Sequence, residues 1–260
     1  MAAPKVLAQK LGIVPWYTYQ TGGNSKSLDF YQKLFQWKTE SFSIPGQGQF
    51  DMWSADSSQF ADIDTRTKLE RATWATYVLV ENVDETLKKV TKMKGKILKP
   101  AFDLPGIGRM GLFADPFGAT LWVYTPTDFS QTDSAMGTTE GRVCWHELMV
   151  NKPEEARAFY GELFNWKIDF DSKMKMHFIK AHDKVIGHIM QTPPSAKSEA
   201  PEWHLYFMTQ DLEKTATQAQ KLGARCLMAK TEVPQTGFFS FWQDPAGAFF
   251  YLWQPYSRVQ

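Results

Sequence analysis

The second half of this 260-residue chain repeats the first at a nearly constant offset of 129 residues. A duplication of that kind constrains the architecture before any single element is read. Under the offset Trp16 falls on Trp145, Phe30 and Tyr31 on Phe159 and Tyr160, Leu34 and Phe35 on Leu163 and Phe164, and Trp37 on Trp166. Farther along, Trp74 falls on Trp203, Tyr77 on Tyr206, and Asp115, Pro116, Gly118 and Ala119 on Asp244, Pro245, Gly247 and Ala248. Chance similarity between two apolar patterns would not keep Trp, Gly and Pro in step. The polar run TDFSQTDSAMGTTEG separates the copies, so the expected domains are residues 10–126 and 141–256, with a linker over 127–140.

Each copy reads as strand, helix and further strands, twice over. IVPWYTYQ alternates like a strand, and SLDFYQKLFQW carries Leu28, Tyr31 and Leu34 or Phe35 on one helical face, with Asn24 or Ser25 as its cap. Strand-like pieces follow at QFDMWSA and QFADID. WATYVLV then leads into the helix VDETLKKVTKMK, which Gly95 is expected to stop, and on to KILKPA, GRMGLFA and ATLWVY. The second copy keeps this order, with Pro153 in the first turn of one helix and Gly223 at the end of the other. The chain therefore holds four βαβββ units and is of the α+β class.

Paired βαβββ units, a helix ending in AFYGELFNW (158–166) or DFYQKLFQW (29–37), and a last strand announced by ADPFGATLWVY (114–124) or QDPAGAFFYLWQP (243–255) resemble the vicinal oxygen chelate superfamily of glyoxalases, bleomycin resistance proteins and extradiol dioxygenases. The resemblance covers nearly the whole chain. It implies two tandem, incompletely closed eight-stranded barrels with the helices outside and a cavity within each. In the Asp-Pro-x-Gly turn, the Gly is expected at positive φ to reverse the chain into the last strand.

Metal-using members of such a family place a ligand at the start of the first strand of each unit and a Glu seven residues after the Asp of the turn. In this chain the resemblance puts those positions on Trp16, Ala75 and Trp122 in the first domain, and on Trp145, His204 and Tyr251 in the second. Indole and methyl groups hold no ion, and one imidazole supplies a small part of what a divalent metal needs. The expectation is that no metal cofactor is used. The alternative is a metal held by Glu147, His204 and a displaced third donor, since Glu147 shares the strand face of Trp145.

Glu147, His204 and Tyr251 are the candidate catalytic residues: an imidazole beside an inward carboxylate makes an acid and base pair, and a phenol can donate to the same ligand. The inward parity also collects Trp145, Tyr206 and Trp253 in the second domain and Trp16, Thr18, Tyr77, Trp122 and Tyr124 in the first, as ligand-lining or core-filling side chains. A slot between such rings favours a small planar or apolar molecule. Three functions stay open: a metal-independent binder or enzyme, a metal-dependent lyase, isomerase or dioxygenase with displaced ligands, and a non-catalytic interaction module.

Composition removes other classes. A net charge of +1 with 22% charged residues offers no basic stripe for nucleic acid, and no apolar stretch approaches a membrane span of ~18 residues. Cys144 and Cys226 have no metal-spaced companions, which points to a reducing compartment. The start MAAPKVLAQKLG lacks the apolar run of a leader, so a cytoplasmic protein is expected, either monomer or homodimer. GIGRMG (106–111) matches GxGxxG but opens a strand, which argues against a dinucleotide site. His177, His182 and His188 lack metal-like spacing and are expected at the surface or in packing.

Overall fold

The computed structural model describes residues 9–44, 48–194 and 200–256; most of the MAAPKVLAQKLG start lies outside the described residues. The first module is β1 (Trp16–Gln20), α1 (Lys26–Phe35), β2 (Lys38–Ile44), β3 (Gly48–Ala55) and β4 (Ser58–Asp64). The second is β5 (Thr73–Leu79), α2 (Val83–Lys92), β6 (Lys96–Leu104), β7 (Gly108–Ala114) and β8 (Thr120–Pro126). The third comprises β9 (Val143–Val150), α3 (Pro153–Phe164), β10 (Lys167–Asp171), β11 (Met176–Ala181) and β12 (Lys184–Gln191). The fourth comprises β13 (Trp203–Met208), α4 (Leu212–Lys221), β14 (Arg225–Val233), β15 (Gly237–Gln243) and β16 (Phe249–Pro255).

The expected four βαβββ units are thus present, and they make two eight-stranded sheets. The orders are β2-β3-β4-β1-β5-β8-β7-β6 and β10-β11-β12-β9-β13-β16-β15-β14. In every module the first strand lies parallel to the last, while the remaining neighbours are antiparallel hairpins. Both orders end on strands with one neighbour, so neither sheet closes on itself. Contacts gather the described residues into two compact units, one of residues 9–16, 75–134, 146–194 and 200–203, the other of residues 17–44, 48–74, 135–145 and 204–256. These are called the inner-module and outer-module units below.

The Asp-Pro-x-Gly turns show why that sequence repeats. In the inner-module unit, Asp115 Oδ1 accepts the backbone N–H groups of Phe117, Gly118 and Ala119 at 2.7–2.9 Å. Its Oδ2 accepts the Tyr160 hydroxyl at 2.7 Å, and Trp203 Nε1 donates to that hydroxyl at 3.1 Å. In the outer-module unit, Asp244 Oδ1 accepts from Ala246 and Ala248, and its Oδ2 from Tyr19 at 2.7 Å. Trp74 Nε1 there donates to Tyr31. Burial pushes both carboxyls up. Gly118 and Gly247 sit at φ +108° and +101°, as the turn requires.

Three local expectations change. The buried stripe of α1 is Ser27, Phe30, Tyr31, Leu34 and Phe35 rather than one starting at Leu28; Ser27 turns inward because its Oγ accepts the Ala246 N–H at 2.9 Å. Of its two candidate caps, Asn24 accepts the Lys26 N–H while Ser25 makes no side-chain cap. At the end of α2 the left-handed residue is Lys94 at φ +67°. Gly95 is needed there for space, since a Cβ on it would fall 2.6 Å from Val90 Cγ1. The GIGRMG run finishes the turn after β6 and opens β7 from Gly108, as expected, with no helix after it. No helix among the described residues is long and apolar enough to cross a membrane.

Candidate functional site

Alternation along β13, β15 and β16 sorts the side chains of the outer-module unit onto two faces. Phe207 and Phe250 turn toward α1, where Phe207 meets Phe35 at 5.4 Å and Phe250 meets Phe30 at 5.7 Å. Their neighbours in sequence, His204, Tyr206, Phe249 and Tyr251, therefore take the opposite face, as the sequence parity predicts. There Tyr206 and Tyr251, paired across parallel strands, stack at 4.1 Å with 4° between planes. Phe241 stacks on Tyr251 at 4.3 Å and 20°. The His204 ring lies 5.6 Å from Phe241, 5.9 Å from Phe249 and 6.0 Å from Tyr251. Arg71 places its guanidinium 4.4 Å above Phe249.

This group has a buried base and an accessible rim. His204, Tyr206 and Tyr251 are 6%, 6% and 5% exposed, whereas Phe239, Phe241, Phe249 and Trp253 are half-buried. Phe239 lies 5.9 Å from Tyr251. The rim phenylalanines are functional candidates that the sequence reading did not select. Their signal was available, because Phe239 and Phe241 in β15 and Phe249 in β16 share the parity of Tyr251 across the register of those strands.

In the inner-module unit the neighbour found for Glu147 is His188, whose Nε2 donates to Glu147 Oε2 at 3.0 Å. The two residues are Cα partners across β9 and β12, and both are buried. Of the two fates expected for His177 and His188, surface or packing, burial is the observed one. His146, on the other face of β9, bonds through Nδ1 to the Ile186 carbonyl at 2.7 Å, and burial holds its imidazole down at about 4. Nothing in the spacing of a lone His in β12 reveals its partner; only strand register does.

The first sheet offers the counterpart positions. Thr18, at the place of Glu147, donates to Asp62 Oδ1 at 2.6 Å across β1 and β4. In the inner-module unit Tyr77 and Trp122 stack at 5.4 Å and 12°. Tyr124 donates to the Ile107 carbonyl and is pushed up to about 12 by burial. Trp16 and Trp145 are half-buried near the starts of β1 and β9. A cleft of about 490 Å³ in the inner-module unit runs along the start of α2 and the end of α3, past Glu85, Lys89, Asn165 and Trp166, and touches none of the expected site residues.

The six positions at which metal-using relatives carry their ligands do not fit an ion here. Trp16, Ala75, Trp122, Trp145 and Tyr251 present indole, methyl and phenol groups, and His204 is surrounded by rings. Among the described residues no three His, Cys, Asp or Glu side chains are grouped as a metal site requires.

Comparison with known proteins agrees with the fold of paired βαβββ modules. A family model described as the Glyoxalase/Bleomycin resistance protein/Dioxygenase superfamily matches residues 13–123 and 142–252. The chain is similar to CFP32 of Mycobacterium tuberculosis, whose name assigns it provisionally as a glyoxylase, with 29% identity over 97% of this chain and 98% of that one. It is also similar to the anthracycline biosynthesis protein DnrV of Streptomyces peucetius, at 26% identity over 92% of each. Among solved structures, 2,2',3-trihydroxybiphenyl 1,2-dioxygenase from Sphingomonas wittichii strain RW1 superposes with a TM-score of 0.64 at 13% identity, over 94% of this chain and 90% of that one. That likeness is one of fold alone.

Proposed function

Since the chain belongs to the glyoxalase, bleomycin resistance protein and dioxygenase superfamily, and rings stand where its metal-using members chelate, we propose that it binds a small, flat, largely apolar molecule without a resident metal. The observation that carries this reading is the continuous ring group of His204, Tyr206, Phe241, Phe249 and Tyr251. Flat aromatic faces recognise flat ligands through dispersion and offset stacking, and the half-buried rim leaves such faces reachable. Within the group the His204 imidazole offers ring nitrogens for one hydrogen bond to a ligand, and the Tyr251 hydroxyl is a donor to an acceptor atom on it. Trp253, the Cα partner of Phe239 across β15 and β16, extends the apolar lining. Glu147, held by His188, is the corresponding acid–base candidate of the inner-module unit. A relative named for anthracycline biosynthesis is in keeping with a flat polycyclic ligand. The reading places the protein in solution with small molecules, away from membranes and nucleic acid.

The test is calorimetric titration of the whole protein with naphthalene-2-methanol, a neutral flat probe. Saturable binding is expected, weakened about tenfold in Phe241→Ala or Phe249→Ala, whose rings sit at the rim. Absence of saturable binding, or unchanged affinity in both variants, would remove the reading.

A further inference from the structure

The first sheet carries a charge that its duplicate lacks. In the inner-module unit Lys99 leaves the exposed strand β6 between two register shifts in its pairing with β7. Its ammonium is set 4.4 Å from the Phe102 ring centre and 5.4 Å from that of Trp122. Phe102 meets Trp122 edge-on at 6.2 Å, and Trp122 in turn stacks on Tyr77. The three rings and the ammonium make one platform. The same two register shifts recur between β14 and β15, where the equivalent positions are Met228 and Thr231. The βαβββ fold therefore needs neither a cation nor a ring at these places, and the pair Lys99 and Phe102 is specific to the first copy.

Among the described residues no carboxylate is paired with Lys99, although Arg109 on the neighbouring strand holds both Asp84 and Asp103. An exposed ammonium resting on ring faces gains a modest stabilisation and gives it up readily to an anion. Its long stem swings without disturbing the sheet. We propose that this platform is a second ligand site, separate from the ring group of the outer-module unit, and that it takes a flat aromatic anion such as an aryl carboxylate or phenolate. The ligand ring takes the place of the ammonium against Trp122 and Phe102. Lys99 turns outward to pair with the negative substituent at the edge of that ring. Lys99 is the residue that sets the sign of the charge, and the rings set the shape.

The experiment compares 2-naphthoate with the neutral naphthalene-2-methanol on the whole protein, in wild type, Lys99→Met and Lys99→Arg, by calorimetry at low ionic strength. Lys99→Met copies the residue of the second domain and is compatible with the fold on that ground. Expected is saturable naphthoate binding, weakened roughly tenfold in Lys99→Met and kept in Lys99→Arg, with the affinity for the neutral probe unchanged in both. Equal naphthoate affinity in wild type and Lys99→Met, equal losses for both probes, or no naphthoate binding by wild type into the millimolar range would each overturn the assignment. The result is independent of the outer-module site: Phe241→Ala and Phe249→Ala alter the neutral probe there, and Lys99-dependent naphthoate binding stands or falls without them.

Discussion

The two ring platforms occupy equivalent positions in a duplicated chain and differ in how closely they are packed. Tyr206 and Tyr251 stack at 4.1 Å, with Phe241 adding a third ring at 4.3 Å, while Tyr77 and Trp122 stand 5.4 Å apart with a lysine over their neighbour. At the place of His204 the first copy has Ala75. One platform is a continuous aromatic surface with Arg71 over its Phe249, the other a looser surface with Lys99 over Phe102 and near Trp122. Duplication kept the Asp-Pro-x-Gly turns, the parallel strand pairs and the register shifts, and let these ring-bearing faces drift apart. What is shared belongs to folding, and what differs is where the proposed recognition lies.

The comparison can be broken most sharply by truncating the stacked rings. Tyr251→Ala removes a side chain packed against Tyr206, Phe241 and His204 and is expected to cost about 3–4 kcal/mol in urea unfolding. Trp122→Ala, in the looser platform, is expected to cost about 2 kcal/mol, since the flexible Lys99 and Phe102 can settle into the gap. Equal costs would mean that the two faces are packed alike and that the difference in spacing has no energetic content.

Acid sharpens a second difference between the copies. His146 in β9 is the counterpart of Tyr17 in β1. Burial lowers the imidazole from 6.5 to about 4, while it pushes the Tyr17 phenol up and away from this range. An unfolded chain takes up a proton on His146 below about pH 6.5 and the folded chain does not until about pH 4. The stability contributed by His146 is therefore complete above pH 6.5 and is lost as the pH falls toward 4, by roughly 3 kcal/mol over the window. Asp115 and Asp244, whose carboxyls burial raises, act in the opposite direction. Comparing wild type with His146→Leu by urea unfolding between pH 7 and 4 isolates the imidazole: the difference between the two should change by that amount across the window. A constant difference would place the proton elsewhere.

The smallest expected effect concerns Thr18. Its hydroxyl bond to Asp62 occupies the place of the buried Glu147–His188 pair. Thr18→Val should cost about 1 kcal/mol, because Asp62 is half-buried and water can replace the lost donor. His188→Leu leaves Glu147 buried without its imidazole and should cost more, about 2–3 kcal/mol. Chemical denaturation of both variants settles the order, and a larger loss from Thr18→Val would reverse the assignment of the more tightly held pair to the second sheet.

Much of this was legible in the residues alone. The offset repeat, the order of strands and helices, and the positive φ of Gly118 and Gly247 followed from pattern and turn chemistry. The common face of His204, Tyr206 and Tyr251 followed from a period of two. What parity cannot supply is the neighbour. His188 meets Glu147 because β12 runs parallel to β9 in one register, and Lys99 meets Phe102 because β6 slips twice against β7; neither contact has a sequence spacing of its own. Tyr31, Leu34 and Phe35 of the α1 face lie buried as read; only Leu28 was misplaced there, because Ser27, a polar side chain, is buried by its bond to a backbone N–H far along the chain.

The central claim is that Tyr251 and the rings stacked on it stand beside His204 where further chelating groups would have to converge, so that recognition on the face of β13, β15 and β16 proceeds without a metal. Elemental analysis by plasma mass spectrometry, on protein purified without chelators in metal-supplemented buffer, addresses it most directly. Transition-metal content far below one equivalent per chain, the same in wild type and His204→Ala, is the predicted result. A near-stoichiometric metal that disappears in His204→Ala would contradict it.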